Sequence, residues 1–274
     1  MPKILVVANR TVAGRKTLET IRERAKSGDA EIHLVIPLTP PKHGNVIYDH
    51  AVRDAAQLRI DLAADFLRHE GIEISGEVGD EDPLTATKDA LAGFPADEIV
   101  LSTLPETRSG WLRRDLVERM QEETGVPVTH LVTDIDEEGL AVHVTLVVAN
   151  RTSGGDQLLE VLRKQHERDK DRIFIALVPQ EGRGGRAAGI ARQRLNLLKG
   201  RLRQAGFTAS GMIGDPDPYD AIMNALELFT VDEVVISTLP ETKSGWLRAD
   251  LISRVQNATR AHVEHVVQQE PAAV

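Results

Sequence analysis

Short apolar runs alternate along the chain with stretches of helical periodicity. In the first half the runs are Ile4 to Val7, Ile32 to Ile36, Ile72 to Val78, Ile99 to Leu101 and Val126 to Val132. Runs of this length between amphipathic segments predict buried parallel strands with helices against the sheet, an α/β arrangement. Ala56, Ile60, Ala63 and Leu67 share one helical face, as do Ala191, Leu195, Leu198 and Leu202 in the second half. Gly71 and Gly206 stand where these helices should stop. Asp82-Pro83 and Asp217-Pro218 read as helix starts, with Asp accepting from free N–H groups and Pro at the first helical position.

The pattern runs twice. ILVVANRT (Ile4 to Thr11) returns as TLVVANRT (Thr145 to Thr152), and DEIVLSTLPET returns as DEVVISTLPET. Gly79-Asp80-Glu81-Asp82-Pro83 answers Gly214-Asp215-Pro216-Asp217-Pro218. The offset falls from 141 residues at the start to 135 after the second strand, so the second copy has the shorter loop there. A duplication with this long a period is no solenoid; it predicts two domains. The acidic, turn-forming Asp134 to Gly139 places the boundary, giving domains 1–138 and 139–274, with Gln268 to Val274 as a frayed tail.

Composition narrows the function. The 274 residues are 41% hydrophobic, enough for two ordinary cores, and include no Cys, which excludes disulfides, thiolate metal sites and thiol nucleophiles. A net charge of -9, with two Trp, two Tyr and five Phe, argues against a nucleic-acid or anionic-membrane partner. The chain opens directly into a strand-like run, and no segment reaches the length of a membrane span, so a soluble cytoplasmic protein is expected.

Ligands of open parallel sheets bind beyond the carboxyl ends of the strands, where the strand order reverses. The loops after strands one and four are therefore the candidates. Between STLPETRSGWLRRDL (Ser102 to Leu116) and STLPETKSGWLRADL (Ser237 to Leu251), 13 of 15 positions are identical, whereas the surface helices differ freely. Core packing or a site must account for that contrast.

With the five-run alternation, the strand-one ending, the Gly-Asp-x-x-Pro segment and the final Val-Pro-Val strand, the chain resembles two fused universal stress protein domains. The resemblance implies an adenine nucleotide alpha hydrolase-like fold, doubly wound, with five parallel strands in the order 3-2-1-4-5 in each domain. It also implies an Asp after strand one for adenine and a glycine pattern after strand four for phosphates. Asn9 and Asn150 stand in place of that Asp, and Ser102 and Pro105, with Ser237 and Pro240, replace the two glycines. Arg114-Asp115 and Ala249-Asp250 stand where the pattern has Gly-Ser. Proline offers no N–H and aspartate repels an anion, so the phosphate motif is degenerate. No cofactor is expected beyond an adenine nucleotide held in some other way.

Each candidate carries two readings. Asn9-Arg10-Thr11 and Asn150-Arg151-Thr152 place an amide, a guanidinium and a hydroxyl at the end of strand one, for a ligand or as a turn with a helix cap. Glu106 and Glu241 are then salt-bridge candidates for Arg10 and Arg151. Ser109-Gly110-Trp111 and Ser244-Gly245-Trp246 read as helix starts whose free N–H groups, with Arg113 and Arg248, suit an anion. Alternatively the tryptophans pack and the arginines cover apolar surface. Ser102, Thr103, Ser237 and Thr238 add hydroxyls to the same edge. Gly182 to Arg186 lacks the ending of a P-loop and reads as a surface loop. His262 and His265, three apart in a strand, point to opposite faces and share no metal. His130 and His265 are repeat equivalents.

The leading expectation is a noncatalytic tandem module that binds a small polar or anionic ligand, a nucleotide among the options, in modified pockets. Its domains are expected to form an internal pseudo-dimer, with further oligomerisation open. The alternative is a structural or protein-interaction module whose vestigial pockets are filled by their own Arg–Glu pairs. A nucleotide-hydrolysing enzyme ranks last, because phosphate cradle and metal ligands are both missing from the sequence.

Overall fold

The computed structural model describes residues 1–26, 30–38, 49–106, 115–138, 140, 142–240, 245–248 and 250–268. Two units follow each other along the chain, Met1–Ala141 and Val142–Val274.

In the first unit, β1 (Lys3–Val7) leads through a 3-10 turn (Arg10–Ala13) into α1 (Arg15–Lys26) and β2 (Glu31–Pro37). Then come α2 (Asp49–His69), β3 (Ile74–Gly79), α3 (Pro83–Gly93), β4 (Glu98–Thr103), α4 (Leu116–Thr124), β5 (Val128–Val132) and α5 (Ile135–Glu138). The second unit repeats the order with β6 (Val144–Val148), α6 (Asp156–Arg168), β7 (Ile173–Pro179), α7 (Gly185–Gln204) and β8 (Thr208–Gly214). It closes with α8 (Pro218–Leu228), β9 (Glu233–Thr238), α9 (Gly245–Arg248), α10 (Leu251–Ala258) and β10 (His262–Val267). The third and fifth strands of the first unit start two residues later than the apolar runs predict, because Ile72 and Val126 are spent on the turns that enter them.

Each unit holds one five-stranded sheet, β3-β2-β1-β4-β5 and β10-β9-β6-β7-β8, so the order from sequence start is 3-2-1-4-5 in both. Every pairing is parallel. The central strands are buried on both faces, which is why they read as unbroken apolar runs. Ile4 and Val6 join Leu18, Ile21, Leu34, Ile60 and Leu67 on the α1/α2 side. Leu5 and Val7, the alternate positions, join Leu84, Ala90, Ile99, Leu101 and Met120 on the α3/α4 side. In the second unit Leu158 and Leu162 of α6 and Leu195, Leu198 and Leu202 of α7 pack on Val147, Phe174 and Ala176.

The local signals act where the sequence places them. Asp82 accepts from the Thr85 N–H at 3.0 Å, and Asp217 from the Tyr219 N–H at 2.8 Å, each just before a first-turn proline. Gly71 and Gly206 adopt φ of 77° and 84°, the left-handed conformation that ends a helix at little cost to glycine alone. Pairing sets Val7 level with Val35 on one side and Leu101 on the other. The loops after β1, β2 and β4 therefore leave the sheet at one height, around the point where the strand order reverses.

Candidate functional site

At that reversal the end of β1 must be held to neighbours whose chains depart in different directions. The strand-one motif does this with its first and third residues. Asn9 Nδ2 donates to the Pro37 carbonyl at 2.7 Å, and Asn150 Nδ2 to the Pro179 carbonyl at 2.9 Å, tying the loop to the end of the second strand. Thr11 Oγ1 donates to the Ser102 carbonyl at 3.0 Å, and Thr152 Oγ1 to the Ser237 carbonyl at 3.0 Å, tying the same loop to the fourth strand. All four side chains are buried. The motif is a clamp across the switch point, and its threonine bridges to β4 or β9 rather than capping a helix.

The hydroxyls of the fourth strand face inward. Ser102 Oγ lies 2.7 Å from Thr17 Oγ1 and 3.3 Å from Thr133 Oγ1, inside the unit. In the second unit Leu158 and Gln268 stand at the equivalent positions, and Gln268 Nε2 reaches Ser237 Oγ at 3.5 Å. Thr103 Oγ1 sits 2.9 Å from His130 Nε2, and Thr238 Oγ1 sits 2.8 Å from His265 Nε2. Burial pushes both imidazoles below their ordinary pKa, and the Lys16 charge adds to this for His130. The repeated His–Thr pair thus joins the fifth strand to the fourth at its carboxyl end.

The middle residue of the motif, the arginine, is the one left at the surface. Arg151 donates through Nε to Glu181 Oε1 at 2.6 Å. Glu181 Oε2 also lies 3.2 Å from Arg194 of α7, and Arg194 in turn donates to Asn150 Oδ1. The hydrogen bond from Arg151, with the charge of Arg194 behind it, holds the Glu181 carboxyl below the usual range. A carboxylate is therefore bound between two guanidiniums beyond the carboxyl ends of β6 and β7. The expected partner was Glu241, which lies outside the described residues. Glu181 reaches Arg151 because β7 ends beside the end of β6, a proximity that sequence distance conceals.

The first unit differs. Arg10 is exposed, and it forms no ion pair among the described residues, with Glu106 or any other acid. The Arg10–Glu106 bridge envisaged from the sequence is not formed. Arg59 of α2, the repeat equivalent of Arg194, is only 6% exposed. The helix that carries it packs against the 3-10 turn that holds Arg10. Burial pushes the Arg59 guanidinium down to about 9, with the charge of Arg10 contributing.

Arg59, Arg194 and Glu181 were not among the residues singled out from the sequence. A signal for the two arginines was present. In the aligned helices they are an identical pair beside the apolar face, among positions that mostly differ. Glu181 gave none, since the first half has Thr39 at that count from the aligned prolines. Of the other candidates, Ser109, Arg113 and Ser244 lie outside the described residues. Gly245 does open a helix, α9, which Arg248 closes. Among the described residues no group of three or more His, Asp or Glu is placed to hold a metal ion, and no helix is long and apolar enough to cross a membrane.

No protein-family model matches the chain, and no curated protein matches it. Solved structures do. One is a universal stress protein in complex with cAMP, 14% identical, covering 48% of this chain and 98% of its own, with a TM-score of 0.36. A second is a universal stress protein from Archaeoglobus fulgidus DSM 4304, 16% identical over 98% of this chain and 97% of its own, also with a TM-score of 0.36. The chain is similar to universal stress proteins. The strand-one asparagines and fourth-strand serines of both units are engaged in contacts within the fold.

Proposed function

We propose that the chain is a noncatalytic, universal stress protein-like tandem module that recognises a small polar or anionic ligand at the crevice between its strand-one and strand-four loops. One observation carries this reading. In both units the asparagine and threonine of the motif brace the crevice while the arginine between them is held at its rim. A turn needs the first and third residues for its hydrogen bonds; the guanidinium adds nothing to that clamp, and its repetition is accounted for by something it binds.

The structural reading has its own support in the second unit, where the Glu181 carboxylate already fills the place between Arg151 and Arg194. We therefore look to the first unit for recognition of an outside molecule, since Arg10 forms no ion pair among the described residues while Arg151 pairs with Glu181. Mass spectrometry of small molecules released from freshly purified protein tests the module reading. A co-purifying polar or anionic metabolite, a nucleotide among the candidates, is expected from the parent and is expected to be missing from the Arg10→Met, Arg151→Met double variant. Unchanged ligand content in a folded double variant would favour the purely structural role.

A further inference from the structure

In the second unit two arginines from separate elements already hold an oxyanion. Arg151, in the loop after β6, meets one Glu181 oxygen at 2.6 Å, and Arg194, in the middle of α7, meets the other at 3.2 Å. Arg194 is also fixed independently of that acid. It donates to Asn150 Oδ1, and the buried Asn150 amide is itself anchored on the Pro179 carbonyl at 2.9 Å. This guanidinium keeps its aim when Glu181 leaves, and such preorganisation favours an incoming anion. The acid is held less firmly. The Glu181 side chain is 33% exposed and that of Arg151 65%, and ion pairs open to water are weak. Glu181 opens a turn in which Gly182 and Gly184 have φ of 124° and 100°, and no atom lies within 4 Å of where either would carry a Cβ. A turn with nothing packed on its glycines re-aims the acid at little cost. Arg183 and Arg186 follow at the surface, and residues 182–214 include no Asp or Glu, so the local potential is positive.

We propose that the place between Arg151 and Arg194 receives a phosphoryl group, and that Glu181 is a tethered stand-in which such a ligand displaces. This extends the module reading to the second unit and rests on it for Arg151 as a receiving group. The competition selects the ligand class. A free carboxylate offers the same two oxygens and single charge as Glu181 but lacks the advantage of the tether. A phosphate monoester brings a third oxygen and nearly two charges, and the parallel N–H groups of a guanidinium match two of its oxygens.

The test is calorimetric titration of the full-length chain with inorganic phosphate, and with acetate as the carboxylate probe, at low ionic strength, where screening is weak. Glu181→Gln keeps the shape and removes the charge; it is expected to bind phosphate at least about tenfold more tightly than the parent, the worth of a charge-assisted hydrogen bond. Glu181→Ala, which removes the carboxylate with its stem, is expected to act alike. Arg151→Met or Arg194→Met in the Glu181→Gln background is expected to abolish the gain. Asp156→Asn is the charge-matched control: it releases Arg201 of the same helix and should leave phosphate affinity at the parent value. No gain in folded Glu181→Gln and Glu181→Ala proteins, an equal gain in Asp156→Asn, a gain that survives Arg151→Met, or acetate bound more tightly than phosphate overturns the proposal. If the parent releases a polar molecule while the Glu181 variants gain nothing, the module reading stands and this site falls. If the parent releases none and the variants gain nothing, both fall.

Discussion

Replacing Thr11 and Thr152 by valine measures what the switch-point clamp contributes. Valine keeps the branched shape and removes only the hydroxyl, which in both units is buried and donates at 3.0 Å to the carbonyl of the fourth-strand serine. A net intramolecular hydrogen bond is worth about 1 kcal/mol, and the buried carbonyl that loses its donor keeps the cost from being offset by the added methyl. Each variant should therefore lose about 1 kcal/mol, which corresponds to about 2–4 °C in the melting of a unit of this size. The geometry is the same in both copies, so the two losses should match. Urea denaturation followed by circular dichroism gives the magnitude. Hydrogen exchange read by mass spectrometry gives the place, with faster exchange confined to the strand-one loop and the end of β4 or β9. Thr20→Val is the control: its hydroxyl donates to the Lys16 carbonyl on the surface of α1, and its loss should fall within about 0.3 kcal/mol of the parent. If Thr11→Val and Thr152→Val are as neutral as the control, or if only one of them loosens its loop, the clamp is not what holds the crevice together.

Three further outcomes follow from the same structure. His130 and His265 have pKa values below the ordinary 6.5 in the folded state, so the unfolded chain binds more protons as pH falls past 6.5. Their contribution is complete above that pH and is lost as pH drops through the folded values. Imidazole NMR titrations should give midpoints below 6.5 for both, and a midpoint at or above it for either ring would refute the assignment. Asp115 and Asp250 sit at φ of 48° and 51°, each preceding a helix without capping it through its side chain. Left-handed strain on a non-glycine residue exceeds the entropy cost of glycine, so Asp115→Gly and Asp250→Gly should each stabilise by about 0.5 kcal/mol in urea titrations. A loss of that size would show the carboxylates to be needed. Mg-ATP should show no micromolar affinity by calorimetry and no turnover, because Pro105 and Pro240 offer no N–H and Asp115 and Asp250 oppose phosphate charge; steady hydrolysis that survives stringent purification would contradict this.

The sequence by itself determined what depends on neighbours a few residues apart. Strand runs, helical faces, the Asp-Pro helix starts and the glycine stops follow from periodicity and backbone preference, and the duplication made each of them legible twice. It also marked the loop after strand four as a candidate, because 13 identical positions out of 15 stand out against freely differing surface helices. The roles within those loops were decided only by tertiary structure. Asn9 reaches a carbonyl 28 residues away and Thr11 one 91 residues away, so nothing in their local setting tells a clamp from a ligand contact. The partner of Arg151 was settled the same way. Glu181 pairs with it because the parallel register brings the end of β7 beside the end of β6, although the two residues are 30 apart in sequence. Arg59 and Arg194 share a sequence position yet differ in surroundings: Arg59 is almost wholly buried, and Arg194 reaches the Glu181 carboxylate. That difference lies in the segments packed around them and emerges only once the chain has folded.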